Sequence, residues 1–247
     1  MKMSKVSILM PSFLNVFQTW KTQKLPRKIE KVLNKNKKLN KEYTFTIYTD
    51  EQISDFIKSH FSGEIFHSFE KLKHPVAKAD FWRYLVLYKY GGCYLDIDSR
   101  FINPIDKFIN KDDQALISAE KNPGNYIQWA LFFKKEHPIL MRTVELIIEN
   151  IEKGLHKNDI EKLTGPKIYA KSIEEFFYIS QNKNLKWENI DENTNINFEF
   201  SFNNNIHSAR IYGIDYANNL QFKHKHSHLL YEDNEHWLKN QDKENVY

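Results

Sequence analysis

A single cysteine, Cys93, stands among the 247 residues, which rules out an intramolecular disulfide and any zinc site built from several thiolates. No window approaches the ~20 apolar residues that a membrane-spanning helix needs. The nearest candidate is Val6 to Phe17, after the basic start Met1-Lys2-Met3-Ser4-Lys5. Pro11, Ser12 and Asn15 interrupt it and no small-residue cleavage pattern follows it, so it reads as a buried strand rather than a signal peptide. There is no Gly-x-x-x-x-Gly-Lys loop, no Gly-x-Ser-x-Gly elbow and no carboxylate-rich helix, and with them go a P-loop nucleotidase and an α/β-hydrolase. Repeats and long linkers are also missing. We expect a cytoplasmic location or peripheral contact with a membrane.

Charge of one sign is scarce too. The formal net charge of +4 is modest, and runs such as Lys35-Asn36-Lys37-Lys38 read first as a solvated helix face. No nucleic-acid partner is expected, because the basic runs are not interleaved with aromatics as single-strand binding favours. What is present is apolar surface: 41% of the residues are hydrophobic and 15% aromatic, enough for a substantial core. We expect one domain over 1–247.

The order of elements predicts the fold class. Phe13 to Trp20 reads as a strand, Leu25-Pro26 opens a basic helix reaching about Leu39 with Ile29, Val32 and Leu33 on one face, and Tyr43 to Tyr48 is aromatic and β-branched as strands are. Glu51 to Phe61 has helical spacing at Ile53, Phe56 and Ile57. Strand, helix, strand, helix predicts an α/β protein with a mostly parallel, Rossmann-like sheet flanked by helices. A long helix from about Val76 to Tyr90 stops at Gly91-Gly92, which supply positive backbone angles. The strand Cys93 to Asp98 follows at once, apolar at its start and acidic at its finish. Further strands are expected at Ala115 to Ala119, Gln128 to Phe133 and Asn197 to Phe202, and helices at Pro138 to Ile151 and Pro166 to Ser180.

Open α/β sheets bind ligands at the carboxyl ends of their strands, so the acidic finish draws attention. On an extended segment Asp96 and Asp98 would project from one face and address the same ion. Their hard oxygens suit Mg²⁺ or Mn²⁺, which can bridge carboxylates to a diphosphate. On the helix that precedes this strand, Asp80 and Arg83 are three apart and share a face. They form either an intrahelical ion pair or a joint ligand site in which Asp80 accepts hydroxyl hydrogens and Arg83 donates to phosphate or sugar oxygens.

The ordered block from Pro75 to Asp98, PVAKADFWRYLVLYKYGGCYLDID, resembles the sugar-nucleotide signature of glycosyltransferase family 32, the DXD-containing sugar transferases. A second match is Phe17-Gln18-Thr19-Trp20-Lys21-Thr22 before Leu25-Pro26, although a His usually stands where Phe17 stands here. A third is Thr164-Gly165-Pro166, read as mostly structural. The resemblance implies a GT-A type fold with a donor-binding core at about 13–108 and an acceptor side and C-terminal cover at about 109–247. It implies a metal-dependent, retaining hexosyltransferase that uses Mn²⁺ (or Mg²⁺) and a nucleotide-sugar donor, UDP-sugar ahead of GDP-sugar, with a glycan or other hydroxyl acceptor.

Residue by residue, the resemblance makes Asp96, Asp98 and Arg83 the catalytic set, and Trp20, Asp80, Arg83, Tyr94, Asp96 and Trp237 the donor-binding set. Asp98 and Asp96, with Asn234 and His236, are the expected metal shell. Trp20 either stacks on the base or packs in the core, Tyr94 either meets the donor or packs in its strand, and Thr49-Asp50 could border the base or ribose. His224, His226 and His228 alternate and could instead hold zinc. Two other functions stay open: a catalytically weak sugar-nucleotide or glycan binder on the same scaffold, and a metal-dependent nucleotidyltransferase.

Overall fold

The computed structural model describes residues 13–121, 125–222 and 245–247. Strand β1 (Asn15–Thr19) buries Val16 in one apolar cluster and Phe17 in another, because successive side chains leave a strand on opposite faces. Both faces of the sheet are therefore covered. The basic helix α1 (Arg27–Leu39) turns Ile29, Val32 and Leu33 inward, as their spacing predicts, and leads to β2 (Thr44–Tyr48), which pairs with β1 in parallel.

After β2 come α2 (Asp50–His60), α3 (Gly63–Lys71) and α4 (Pro75–Tyr90). Thr49 closes a capping box with Gln52 at the start of α2, which gives it a structural task at the strand end. Helix α3 is not legible in the sequence: it has nine residues, opens on Gly63 and buries only Ser68 and Phe69. By contrast α4 is buried along almost its whole length, Ala77 and Asp80 to Leu87 included. A polar side chain on such a helix must find partners inside the protein.

Strand β3 (Gly92–Leu95) pairs in parallel with β1. Then follow β4 (Arg100–Phe101), β5 (Ala115–Ala119), β6 (Ala130–Phe133), α5 (Pro138–Glu152), α6 (Ile160–Leu163), α7 (Pro166–Gln181), β7 (Asn195–Phe202), β8 (Asn205–Ile214) and β9 (Leu220–Gln221). The main sheet has the order β2-β1-β3-β6-β5-β8-β7, and β4 pairs with β9 apart from it. Strands β2, β1, β3, β5 and β8 run one way while β6 and β7 run against them, so the sheet is mostly parallel and its carboxyl ends gather along one edge.

Two expected boundaries move. The strand expected from Cys93 to Asp98 ends at Leu95, where Asp96 N–H donates to the Trp129 carbonyl at 2.7 Å and Ser99 N–H closes a turn on the Asp96 carbonyl at 2.9 Å. Asp96 and Asp98 therefore sit in a turn, and the shared face of an extended strand does not exist. The strand expected from Gln128 starts at Ala130, and the Gln128 carbonyl accepts from the Arg83 side chain instead of a neighbouring strand. Gly91 (φ +65°) and Gly92 (φ +117°) do adopt positive angles, and a Cβ on them would lie 2.7 Å from Lys135 N and 2.6 Å from Asn15 O. Only glycine fits this close approach.

Candidate active site

The acidic turn stands at the carboxyl end of β3 with α4 behind it. Arg83 of α4 is 6% exposed and Asp80 3%, and their side chains meet at 3.0 Å (Nη2 to Oδ1). The same Nη2 lies 3.5 Å from Asp96 Oδ1, the guanidinium stacks over the Tyr94 ring at 4.4 Å, and Nη1 donates to the Gln128 carbonyl at 2.9 Å. The Tyr94 hydroxyl donates to Asp96 Oδ1 at 2.6 Å. One guanidinium thus ties the helix to the acidic turn: Asp80 and Arg83 form the intrahelical ion pair, and that pair lies against the turn.

A second layer holds Asp80. Thr164 Oγ1 donates to Asp80 Oδ2 at 3.0 Å, Gln128 Nε2 donates to the Tyr84 hydroxyl at 2.7 Å, and Tyr84 in turn donates to the Thr164 carbonyl at 3.0 Å. Burial pushes the Asp80 carboxyl up to about 7 against the opposing pull of Arg83 and Thr164. Burial also works against the charge on Arg83, but Tyr94, Asp80 and Asp96 outweigh it, so the guanidinium stays protonated with its pKa raised.

Asp98 is buried at 2% exposure, whereas the Asp96 side chain keeps 28%. Both side-chain contacts of Asp96 fall on Oδ1, which leaves Oδ2 without a partner among the described residues. Among the described residues no group of three His, Cys, Asp or Glu could hold a metal by itself. A hard divalent ion bound through one or two carboxylates and completed by substrate phosphates fits this donor set, and that is how Mg²⁺ is commonly held. Asn234, His236, Trp237 and the histidines at 224, 226 and 228 lie outside the described residues.

The remaining expectations separate. Trp20 is half-buried just past β1, where its N–H bonds the Tyr48 carbonyl at 3.0 Å, so it borders the same edge instead of joining the core. Phe17, standing where the family has a His, packs against Tyr48 and Tyr90. Tyr94 packs as a buried strand aromatic, and its hydroxyl reaches the acidic turn. Thr164 is hydrogen-bonded to Asp80 within the cluster, and at Gly165 a Cβ would lie 2.8 Å from Glu161 Cα.

Sequence reading missed Gln128, Tyr84 and two asparagines of α1. Asn36 donates to the Ser99 carbonyl at 3.2 Å and accepts from Phe101 N–H at 3.0 Å, while Asn40 accepts from Ile105 N–H at 2.8 Å. Together they pin the chain that leaves the acidic turn. Glu120, directly after β5, was missed as well; burial first and Asp215 second push its carboxyl up to about 7. Asp215 opens a left-handed turn, 215–218, in which Asp215, Tyr216, Ala217 and Asn218 all have positive φ. No local pattern announces any of these contacts.

Comparison with known proteins agrees with this geometry. Residues 26–115 match the family model described as a glycosyltransferase sugar-binding region containing a DXD motif. The initiation-specific alpha-1,6-mannosyltransferase of Candida albicans is 25% identical over 201 residues, 66% of this chain and 52% of that protein. Inositol phosphoceramide mannosyltransferase 3 of Schizosaccharomyces pombe is 28% identical over 129 residues, 52% of this chain and 35% of that protein. The chain thus spans about half the length of these relatives, or less. Among solved structures, the PaToxG glycosyltransferase superposes with a TM-score of 0.54 at 18% identity, covering 66% of this chain and 69% of that one, which supports a GT-A-like fold.

Proposed function

We propose that this chain, a DXD glycosyltransferase of the family 32 type with a GT-A-like fold, moves a hexose from a nucleotide-diphosphate sugar to a hydroxyl acceptor. The observation that carries the reading is the buried Asp80–Arg83–Asp96 chain of contacts at the carboxyl edge of the sheet. A protein that only packs has little reason to hold the Asp80 carboxylate and the Arg83 guanidinium out of water beside a partly exposed Asp96, since burying charges is unfavourable unless they are paired.

In this reading Asp80 accepts hydrogen bonds from sugar hydroxyls. Arg83 donates to sugar or phosphate oxygens through its planar fork. Asp96 turns its Oδ2 to ribose or sugar hydroxyls, and Trp20 offers its ring to the base. Mn²⁺ or Mg²⁺, held by Asp98 with help from Asp96, would offset negative charge on the leaving diphosphate. The bond from the anomeric carbon to the phosphate oxygen breaks with its electron pair going to the diphosphate, the acceptor oxygen bonds to the same sugar face, and the departing phosphate oxygen takes the acceptor's proton. Retention of configuration rests on the resemblance to family 32.

UDP-sugars stand ahead of GDP-sugars as donors, and a glycan or a lipid headgroup would serve as acceptor. A mannose donor and a phosphoinositol-bearing acceptor are supported only by what the relatives are named for. The division into a donor-binding part at about 13–108 and an acceptor side at 109–247 within one domain, and a cytoplasmic or peripheral membrane location, complete the proposal. Among the described residues no helix is long and apolar enough to cross a membrane.

The test is thermal unfolding with a panel of UDP- and GDP-sugars, each with and without Mn²⁺. Ligand at about 100 times its Kd stabilises by about 2.7 kcal/mol, and we expect that shift for at least one donor only when Mn²⁺ is present. Stabilisation by none of them would remove the reading.

A further inference from the structure

The outer face of α1 carries more cations than its fold explains. Arg27, Lys28, Lys31, Lys35, Lys37 and Lys38, with Lys41 just beyond, are all exposed. Among the described residues none of them is in an ion pair, whereas Lys153 and Lys162 elsewhere on the surface are. At about 100° per residue, Arg27, Lys28, Lys31, Lys35 and Lys38 fall within roughly 100° of arc, opposite the buried Ile29, Val32, Leu33 and Asn36. At 1.5 Å per residue they span about 16 Å.

The helix dipole accounts for only part of the stripe. Lys38 lies in the last turn, where cations are favourable, but Arg27 and Lys28 open the helix, where the dipole disfavours positive charge. Glu30 is the one acid in the first turn. Cations that oppose the dipole and have no ion-pair partner among the described residues are free to engage an anionic surface outside the fold.

We propose that this face of α1 docks on an anionic lipid bilayer. The stripe is a row along one exposed face of a helix, which suits an extended anionic surface. It holds no exposed aromatic on which bases could stack. Lysine, a point charge without a bidentate fork, dominates it, as suits diffuse headgroup phosphates more than base recognition. Basic residues near an anionic leaflet each add to binding, and the attraction fades within a Debye length. This inference stands apart from the proposed transfer reaction and can fail without it.

The test is co-sedimentation of the full chain with phosphatidylcholine vesicles and with vesicles holding about 30% phosphatidylglycerol, at low and high salt. We expect pelleting only with the anionic vesicles, lost at high salt. Lys31→Glu/Lys35→Glu/Lys38→Glu should weaken it at least about tenfold. A control of equal charge change on α7 and the loop after it, Lys171→Glu/Lys183→Glu/Lys186→Glu, should weaken it far less, with circular dichroism checking that both variants fold. Equal loss in the two variants, no preference for anionic vesicles, or tighter binding to single-stranded RNA at the same salt would each overturn the assignment.

Discussion

Thr164 Oγ1 donates to Asp80 Oδ2 at 3.0 Å across 84 residues of sequence. The bond joins the loop entering α7 to the middle of α4, and it holds the carboxylate that Arg83 also grips. Replacing Thr164 by Val keeps the shape and removes the donor. The buried Asp80 oxygen then loses a partner, a change of about 1–3 kcal/mol. We expect Thr164→Val to unfold at lower urea and to lose donor-dependent stabilisation, and Thr164→Ser to restore both. Wild-type donor response in Thr164→Val would confine the residue to packing.

Asp98 is the carboxylate we assign to the metal. Asp98→Asn keeps the size of the side chain and removes its charge, so Mn²⁺-dependent stabilisation by donor should vanish while the melt without ligand stays close to wild type. Chelator added to the wild type should give the same result. Activity or Mn²⁺ response surviving in Asp98→Asn moves the principal metal contact to another residue.

His137 gives a pH dependence with a definite sign. It is 1% exposed, its Nε2 faces the Ser208 carbonyl at 3.1 Å, and burial lowers its pKa to about 3, with the neighbouring His207 adding to the effect. The folded form keeps the ring neutral while the unfolded chain takes a proton below about 6.5. Stability is therefore highest above the unfolded pKa and falls as pH drops from about 6.5 towards 3. Between pH 7 and pH 5 the loss from this one group is about 2 kcal/mol by linkage. Urea titrations should show His137→Gln with a smaller drop than wild type over that interval, and an equal drop would assign the acid sensitivity elsewhere.

The turn into β3 can be probed at Gly91. Its φ of +65° with ψ of 178° lies in a region nearly closed to other residues, and a Cβ would sit 2.7 Å from the Lys135 backbone nitrogen. Strain of this kind amounts to about 1–3 kcal/mol. Gly91→Ala should lower the denaturation midpoint accordingly; an unchanged midpoint would mean that the chain turns differently here.

Legibility in the sequence followed the range of the interaction. Asp80 and Arg83 were readable as a pair because helical spacing alone puts them together, α1 and α2 were readable from their apolar spacing, and α4 from the Gly91-Gly92 stop at its end. The end of β3 was not, since Cys93 to Asp98 has no residue that marks a stop; the turn that Ser99 N–H closes on the Asp96 carbonyl decides it. Gln128 and Thr164 joined the site through contacts 44 and 84 residues long, and such contacts leave no periodic trace. For Asn36 the motif-free interior of a basic helix gave no hint, because its importance lies in what leaves the acidic turn opposite it.

Those bonds from Asn36 to Ser99 and Phe101, and from Asn40 to Ile105, fix which parts of the molecule open together. The backbone amide of Phe101 has a side chain of α1 as its acceptor, so its exposure to solvent requires that helix to lift or the asparagine to let go. In hydrogen exchange the helix and the segment after the acidic turn then share one opening event and behave as a single cooperative unit, even though more than sixty residues of chain and three other helices lie between them.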